Sequence, residues 1–478
     1  MGVLSGSPVS RSTSASRTAE APPATELGPW LSQLPEVPGV RALDRMPASA
    51  MLPRVRASYR RQAAPGAGSS TAPQQEIFSL VREAGVLRWR AGAAAPAQFA
   101  GPRPRAGGRA ALASGEVVKQ FAFERLPTSQ VYSALTALDQ LLTPAAVYSS
   151  STGNGLRRLQ GGVLVPFPDA AKAAGKKVLL VIHGTFSNSE ALVTNGLQTR
   201  PPGRELLQAA EDKYDLVLCF DHPTLSVSPM LNAFDLAALL RPAPASVDIV
   251  CHSRGGLVAR WFCEAFADAG LKRRVVFVGA PLGGTSLAAA PSLKNALDLL
   301  TNVADALRSA GDSVASSAFF TATSGLMRVL SAVTGAAIHS PLLDAAIALV
   351  PGLDGQSRTG NNQELLRLRA NTGNADFSAG QVRYFAVKSD FQPQAIGWNF
   401  LRLFSKPLWR VGDWVADRVF EGPNDLVVDT ASMDLTADDR PVTLAHDFGT
   451  NDRVHHVNYF VQPETVRAIR QSLGLGTA

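Results

Sequence analysis

The sequence predicts an α/β fold in which a mostly parallel central sheet carries helices on both faces, with a helical cap or lid inserted late in the chain. Two patterns and one bound point there. After Pro168, short Val, Leu and Ile runs (Lys177 to His183, Asp215 to Phe220, Val247 to Cys251, Arg274 to Gly279 and Val382 to Val387) alternate with stretches at helical spacing. Continuous rather than alternating apolar runs mark strands buried on both faces, the environment that crossover helices create around parallel strands. Right-handed crossovers then put functional loops outside the carboxyl ends of the strands. The bound is size: 478 residues at 46% apolar content suffice for one large or two ordinary domains with a sizeable core.

Taken in order, residues 1 to about 70 are rich in Pro, Ala, Ser and Arg with weak periodicity, and 62–75 and 91–108 read as further loops. Such composition offers little apolar surface to bury. Residues 1–110 are therefore expected to be a low-complexity, partly disordered basic region, and 111–478 the folded domain. Within the first, Glu76 to Arg90 holds a short apolar segment (Ile77, Phe78, Leu80, Val81, Val86, Leu87, Trp89) fit to dock on the main domain. Val118, Phe121 and Phe123 predict a strand. Thr128 or Ser129 can cap a helix whose Val131, Leu135, Leu138 and Leu142 recur at helical spacing. Gly161 to Phe167 reads as another strand, ahead of the parallel series.

Residues 287–351 are Ala- and Leu-rich and too long for an ordinary crossover; Leu293, Leu297, Leu300, Val303 and Leu307, then Phe319, Phe320, Leu326, Met327 and Leu330, mark helices. They form either an extra layer packed on the sheet or a cap over a substrate cleft, of the kind that gates chemistry.

Composition narrows the function classes. Residues 1 to 105 hold 13 Arg against 6 Asp or Glu, which accounts for the whole net charge of +7. The remainder is neutral, so the folded part lacks the clustered basic face of a nucleic-acid binder. The basic arm is a candidate for contact with an anionic membrane surface or a protein partner. No uncharged apolar run of about 18 residues occurs, since His339, Pro341 and Asp344 break the nearest, and the Ser- and Thr-rich start has no signal-peptide core. A cytoplasmic address is expected. Cys219, Cys251 and Cys263 form no metal-ligand spacing and read as reduced, buried thiols. The oligomeric state is not legible.

The chemistry sits in Asp248-Ile249-Val250-Cys251-His252-Ser253-Arg254-Gly255-Gly256, an apolar strand running into a helix through a sharp turn. A strand-turn-helix junction lifts a serine hydroxyl above the sheet and aims the following N–H groups at a reacting carbonyl oxygen. The pattern Gly-x-Ser-x-Gly has Cys251 in place of its first glycine, a small enough side chain for the turn. A serine needs a histidine to take its proton, and that histidine an acid to fix its tautomer. Downstream, Glu421-Gly422-Pro423-Asn424-Asp425-Leu426-Val427-Val428 offers Asp425 as acid, with Asp429 the nearby alternative; Asp425 is equally suited to an Asx turn. Arg453-Val454-His455-His456 offers His456 as base, with His455 beside it. Upstream, a strand ends in His183-Gly184-Thr185-Phe186, where a backbone N–H of Thr185 or Phe186 can join that of Arg254 in an oxyanion hole. A Cys251 nucleophile is the weaker reading, because that residue belongs to the buried end of the strand.

Together these motifs, with Gly279-Ala280-Pro281-Leu282-Gly283-Gly284-Thr285 and His456-Val457-Asn458-Tyr459-Phe460, resemble the α/β-hydrolase superfamily, bacterial lipases, esterases and lipase-like deacylases in particular, over about 300 residues from Lys177. The resemblance implies Ser253 as nucleophile, Asp425 as acid and His456 as base, acting on a small-molecule or lipid ester with no cofactor and no metal. An acyltransferase on the same scaffold and a non-catalytic binding or regulatory protein are the competing expectations. The first 110 residues resemble nothing recognisable.

Overall fold

In the computed structural model the described residues are 40–43, 75–83, 85–91, 116–124, 130–146, 154–268, 270–288, 293–309, 318–327, 349–358, 362–370, 375–377, 380–393, 419–420 and 422–476. Strands β1 (Val40–Leu43), β2 (Gln75–Glu83), β3 (Val86–Ala91) and β4 (Glu116–Glu124) make an antiparallel sheet in the order β1-β4-β2-β3. Helix α1 (Val131–Leu142) follows. The chain then enters the main sheet through a hairpin of β5 (Leu156–Gln160) and β6 (Val163–Pro166), and continues with β7 (Lys177–Ile182), α2 (Pro201–Lys213), β8 (Leu216–Phe220), α3 (Pro229–Leu239), β9 (Ser246–His252), α4 (Gly255–Trp261) and β10 (Arg273–Val278). Helices α5 (Leu293–Ser309) and α6 (318–327) precede β11 (Val382–Phe391), β12 (Val442–Asn451) and the terminal α7 (Pro463–Leu473).

The second sheet has eight strands in the order β12-β11-β10-β9-β7-β8-β5-β6, parallel from β12 to β8, with β5 antiparallel to both of its neighbours. This is the mostly parallel α/β sheet that the sequence predicts. Along β7 the reason for the apolar runs is visible: Val178, Leu180 and Ile182 enter the core under α3 and α4, whereas Leu179 and Val181 enter the core under α2 and α7. Strand register brings the carboxyl ends level, with Ile182 opposite both Phe220 and Cys251, and His252 opposite Val278. The loops leaving β7, β9 and β10 therefore meet at one end of the sheet.

The small sheet is no separate appendage. Phe78, Leu80, Trp89, Phe121 and Phe123 pack with α1, α5 and α6 in one apolar core. Helix α5 also closes the open edge of β3. The Asn302 side chain accepts from Leu87 N at 2.9 Å and donates to Leu87 O at 2.8 Å, while Asp298 Oδ1 accepts from Trp89 N at 2.8 Å. The Trp89 indole N–H donates to Thr301 Oγ1 at 2.8 Å. An edge strand is a row of unpaired peptide groups, and covering it with helix side chains removes both the desolvation cost and the template for mispairing.

Position 110 falls between β3 and β4, and the apolar segment 77–89 forms the β2–β3 hairpin whose β2 pairs with β4 in one sheet. Most of 62–75 and 91–108, and the caps Thr128 and Ser129, lie outside the described residues. Strands β5 and β12 and helix α7 lacked a clear signal. In β5 two arginines interrupt the run, and β12 is an edge strand without one fully buried residue. Of the 287–351 insertion, α5 and α6 are helical as expected, and 289–292, 310–317 and 328–348 are outside the described residues. Among the described residues no helix is long and apolar enough to cross a membrane.

Candidate active site

Ser253 is the first residue after β9 and stands at φ 52°, a left-handed conformation that costs a non-glycine residue of order 1–3 kcal/mol. Its neighbours hold it there. Ser253 N donates to Val278 O at 3.0 Å, and two glycines let α4 close onto the sheet. A Cβ on Gly255 would lie 2.6 Å from the carbonyl oxygens of both Ile182 and His183, and one on Gly256 would lie 2.5 Å from Ala280 Cβ. Cys251 is fully buried with its sulfur 3.5 Å from Val276 O, and burial pushes the thiol well above its ordinary range, so it offers no thiolate.

Asp425 is fully buried, on the turn between Asn424 and Asp429. Its Oδ1 accepts from Val428 N at 2.8 Å and Val427 N at 3.2 Å. Its Oδ2 accepts from His456 Nδ1 at 2.8 Å and from the Tyr459 hydroxyl at 3.1 Å. Burial pushes the Tyr459 phenol well above its usual range, so it stays a donor. Main chain reinforces the pair, His456 N donating to Asp425 O at 2.9 Å. With Nδ1–H given to the carboxylate, the free Nε2 of a neutral His456 carries the lone pair a base needs.

Ser253 and His456 line the same cavity. Among the described residues no direct hydrogen bond joins them; such contacts tighten when substrate binds. The neighbouring candidates are engaged elsewhere. His455 packs its ring 5.2 Å from that of Phe391, and burial holds it down to about 4. Asp429 accepts from Ser286 N and Oγ at 2.8 and 2.9 Å and pairs with Arg358 at 3.4 Å.

The loop after β7 closes the other side. His183 is buried and neutral, its Nδ1–H donating to Gly184 O at 2.9 Å and its Nε2 accepting from His222 N at 3.1 Å; burial lowers its pKa. Gly184 lies against the serine, where a Cβ would be 2.7 Å from Ser253 Cβ. Phe186 takes φ 57°. Thr185 and Phe186 line the cavity, and their N–H groups, like that of Arg254, have no protein acceptor among the described residues. The Arg254 guanidinium points away into the protein, where Nη2 donates to Val227 O at 2.6 Å and Nε to Gly352 O at 3.4 Å.

The cavity is a cleft with about 580 Å³ of space between atoms, open solvent included. Ala296 and Leu300 of α5, Phe319 and Leu326 of α6, and Leu287 and Leu353 give it an apolar wall, while Thr185, Thr285 and Gln356 supply polar groups. Helices of the insertion thus border the serine. Four residues that the motifs contain without a role of their own take one in the fold: Tyr459 and Gly279 beside Asp425, His183 against His222, and His252 against His456. Each acts through a partner distant in sequence, a relation that a single chain does not display.

A family model described as a domain of unknown function (DUF7379) matches residues 161–474. No curated protein matches the sequence. Solved structures similar to this chain include the mature form of a Bacillus licheniformis lipase, BlEst2, at 15% identity, covering 64% of this chain and 93% of that one with a TM-score of 0.34. Lipase 1 from Pelosinus fermentans is 12% identical, over 63% and 97% of the two chains, with a TM-score of 0.36. A metagenomic carboxyl esterase, MGS0156, is 15% identical, over 72% and 90%, with a TM-score of 0.32.

Proposed function

The chain belongs to the DUF7379 family, and we propose that it is a serine hydrolase that cleaves carboxylic esters through an acyl-enzyme. The observation that carries this reading is the Asp425–His456 pair, bonded at 2.8 Å, whose histidine shares one apolar cavity with a serine on a left-handed turn. Ser253 Oγ attacks the ester carbonyl carbon while His456 Nε2 takes its proton, and Asp425 holds the imidazolium that forms. The oxygen of the tetrahedral intermediate accepts hydrogen bonds from the N–H of Arg254 and that of Thr185 or Phe186, donors left unspent in the protein. Each such donor typically contributes about 10²–10³ in rate. Collapse expels the alcohol, protonated by His456, and a water activated by the same imidazole releases the acid. The apolar wall suits the acyl part of a lipid-like ester, at about 0.8 kcal/mol per buried CH₂.

The test is hydrolysis of p-nitrophenyl esters from acetate to palmitate by the wild type and Ser253→Ala, both verified as folded. Activity that vanishes with the hydroxyl and peaks beyond acetate supports the reading. Wild-type activity that survives Ser253→Ala overturns it, and a clean preference for acyl transfer to added alcohols over water would reassign the protein as an acyltransferase.

A further inference from the structure

We infer that His252 is a positioning residue whose ring ties the turn carrying the nucleophile to the loop carrying the base; this rests on the hydrolase reading above. His252 immediately precedes Ser253, so its main chain belongs to the turn. Its ring reaches across to the other loop, with Nε2 at 2.8 Å from the carbonyl oxygen of His456. A carbonyl oxygen only accepts, so Nε2 carries the proton and the tautomer is fixed. Burial, and then the neighbouring His456, push the ring down to about 3, which leaves it neutral wherever a histidine base is free to work.

His456 is consequently held at three points. Its N–H goes to Asp425 O at 2.9 Å, its Nδ1–H to Asp425 Oδ2 at 2.8 Å, and its C=O receives His252 Nε2–H at 2.8 Å. The first two fix the base relative to the acid. The third fixes it relative to the serine. The His252 ring also stands edge-on to Phe460 at 5.6 Å, so its own orientation is set by packing. Neutrality matters as well as reach, because the two imidazole centroids are 4.7 Å apart and a charged His252 would oppose formation of the His456 imidazolium during attack.

The experiment compares His252→Phe and His252→Met, which fill the space without a donor, with His252→Gln, whose Nε2–H₂ reaches the same region. Readouts are kcat and KM on the best ester, the rate at which a fluorophosphonate labels Ser253, and the unfolding temperature. Displacements near 1 Å between reacting groups cost about 10²-fold. The donor-less variants are expected to lose about 10–10²-fold in kcat and in labelling rate with KM little changed, and His252→Gln to recover most of it. Wild-type rates in His252→Phe, or equal losses in the Phe and Gln variants at unchanged unfolding temperature, would overturn the inference while leaving the hydrolase reading intact. A wild type that the phosphonate does not label overturns both. Should the apolar variants fail to fold, the ¹⁵N-coupled Nε2 proton of His252 in the wild type decides. A slowly exchanging signal lost in His252→Gln supports the bond, and a ring protonated on Nδ1 instead removes it.

Discussion

Replacing Gly184 with alanine puts one methyl group between the loop after β7 and the nucleophile. The backbone of Gly184 is not in the left-handed region, so the residue change carries no conformational penalty of its own and the effect is steric. The new Cβ would lie 2.7 Å from Ser253 Cβ, 3.2 Å from His252 O and 3.3 Å from His252 Nδ1, where ordinary contact begins at 3.4 Å. About 0.7 Å of displacement is needed against the serine, and Ser253 cannot supply it freely because Gly255 pins the turn from behind. Strain of this kind typically costs about 1–3 kcal/mol in stability. Its catalytic cost is larger, since shifts of that size between nucleophile, base and oxyanion donors approach those that cost about 10²-fold. Steady-state hydrolysis of the best p-nitrophenyl ester is the assay, alongside denaturant unfolding and a control, Gly270→Ala, at a site with nothing within 4 Å. Gly184→Ala is expected to fold, to lose about 10–10²-fold in kcat, and to be labelled more slowly by a fluorophosphonate. Wild-type kcat in a folded Gly184→Ala protein would refute the placement of this loop against Ser253.

Asp425→Asn is expected to lower kcat by about 10³–10⁴ with the fold kept. The N–H groups of Val427 and Val428 demand an acceptor at Oδ1, so the amide NH₂ is forced to face His456 Nδ1 and impose the wrong tautomer; unchanged kcat would remove Asp425 from the mechanism. His455, held to about 4 against an ordinary 6.5, binds fewer protons folded than unfolded, so stability rises with pH between about 4 and 6.5 and falls on acidification through that window. His455→Gln should flatten the slope of unfolding free energy against pH there, and an unaltered slope would contradict the buried, neutral ring. Asn302→Leu strands the peptide N–H and C=O of Leu87 against α5, at about 1–3 kcal/mol each. Denaturant unfolding and proteolysis near β3 should register the loss, and a change under about 1 kcal/mol would deny the clamp.

Sequence alone determined the features that depend on local pattern. The doubly buried strands β7 to β10 announced themselves as unbroken Val, Leu and Ile runs, because a strand with helices on both faces has no polar side to show. Ser253 was legible because its turn needs glycines at 255 and 256, and those glycines sit within three residues of it. What lies within one turn or strand leaves its mark in adjacent letters. The small sheet was legible only as apolar residues: Trp89 was visible, but its partners Asp298 and Thr301 on α5 lie 209 and 212 residues away in sequence, and no local rule links them. The sequence offers both His456 and His455 as the base, and which of the two stands beside the carboxylate was likewise beyond it. Both are histidines on one loop, and it is the fold that carries Asp425 to within 2.8 Å of the His456 ring and Phe391 to 5.2 Å from the His455 ring. The same holds for Tyr459, His252 and His183, whose meaning is a hydrogen bond across the molecule. Local chemistry selects which groups are able to react, and the closure of distant loops over the carboxyl ends of the strands decides which of them meet.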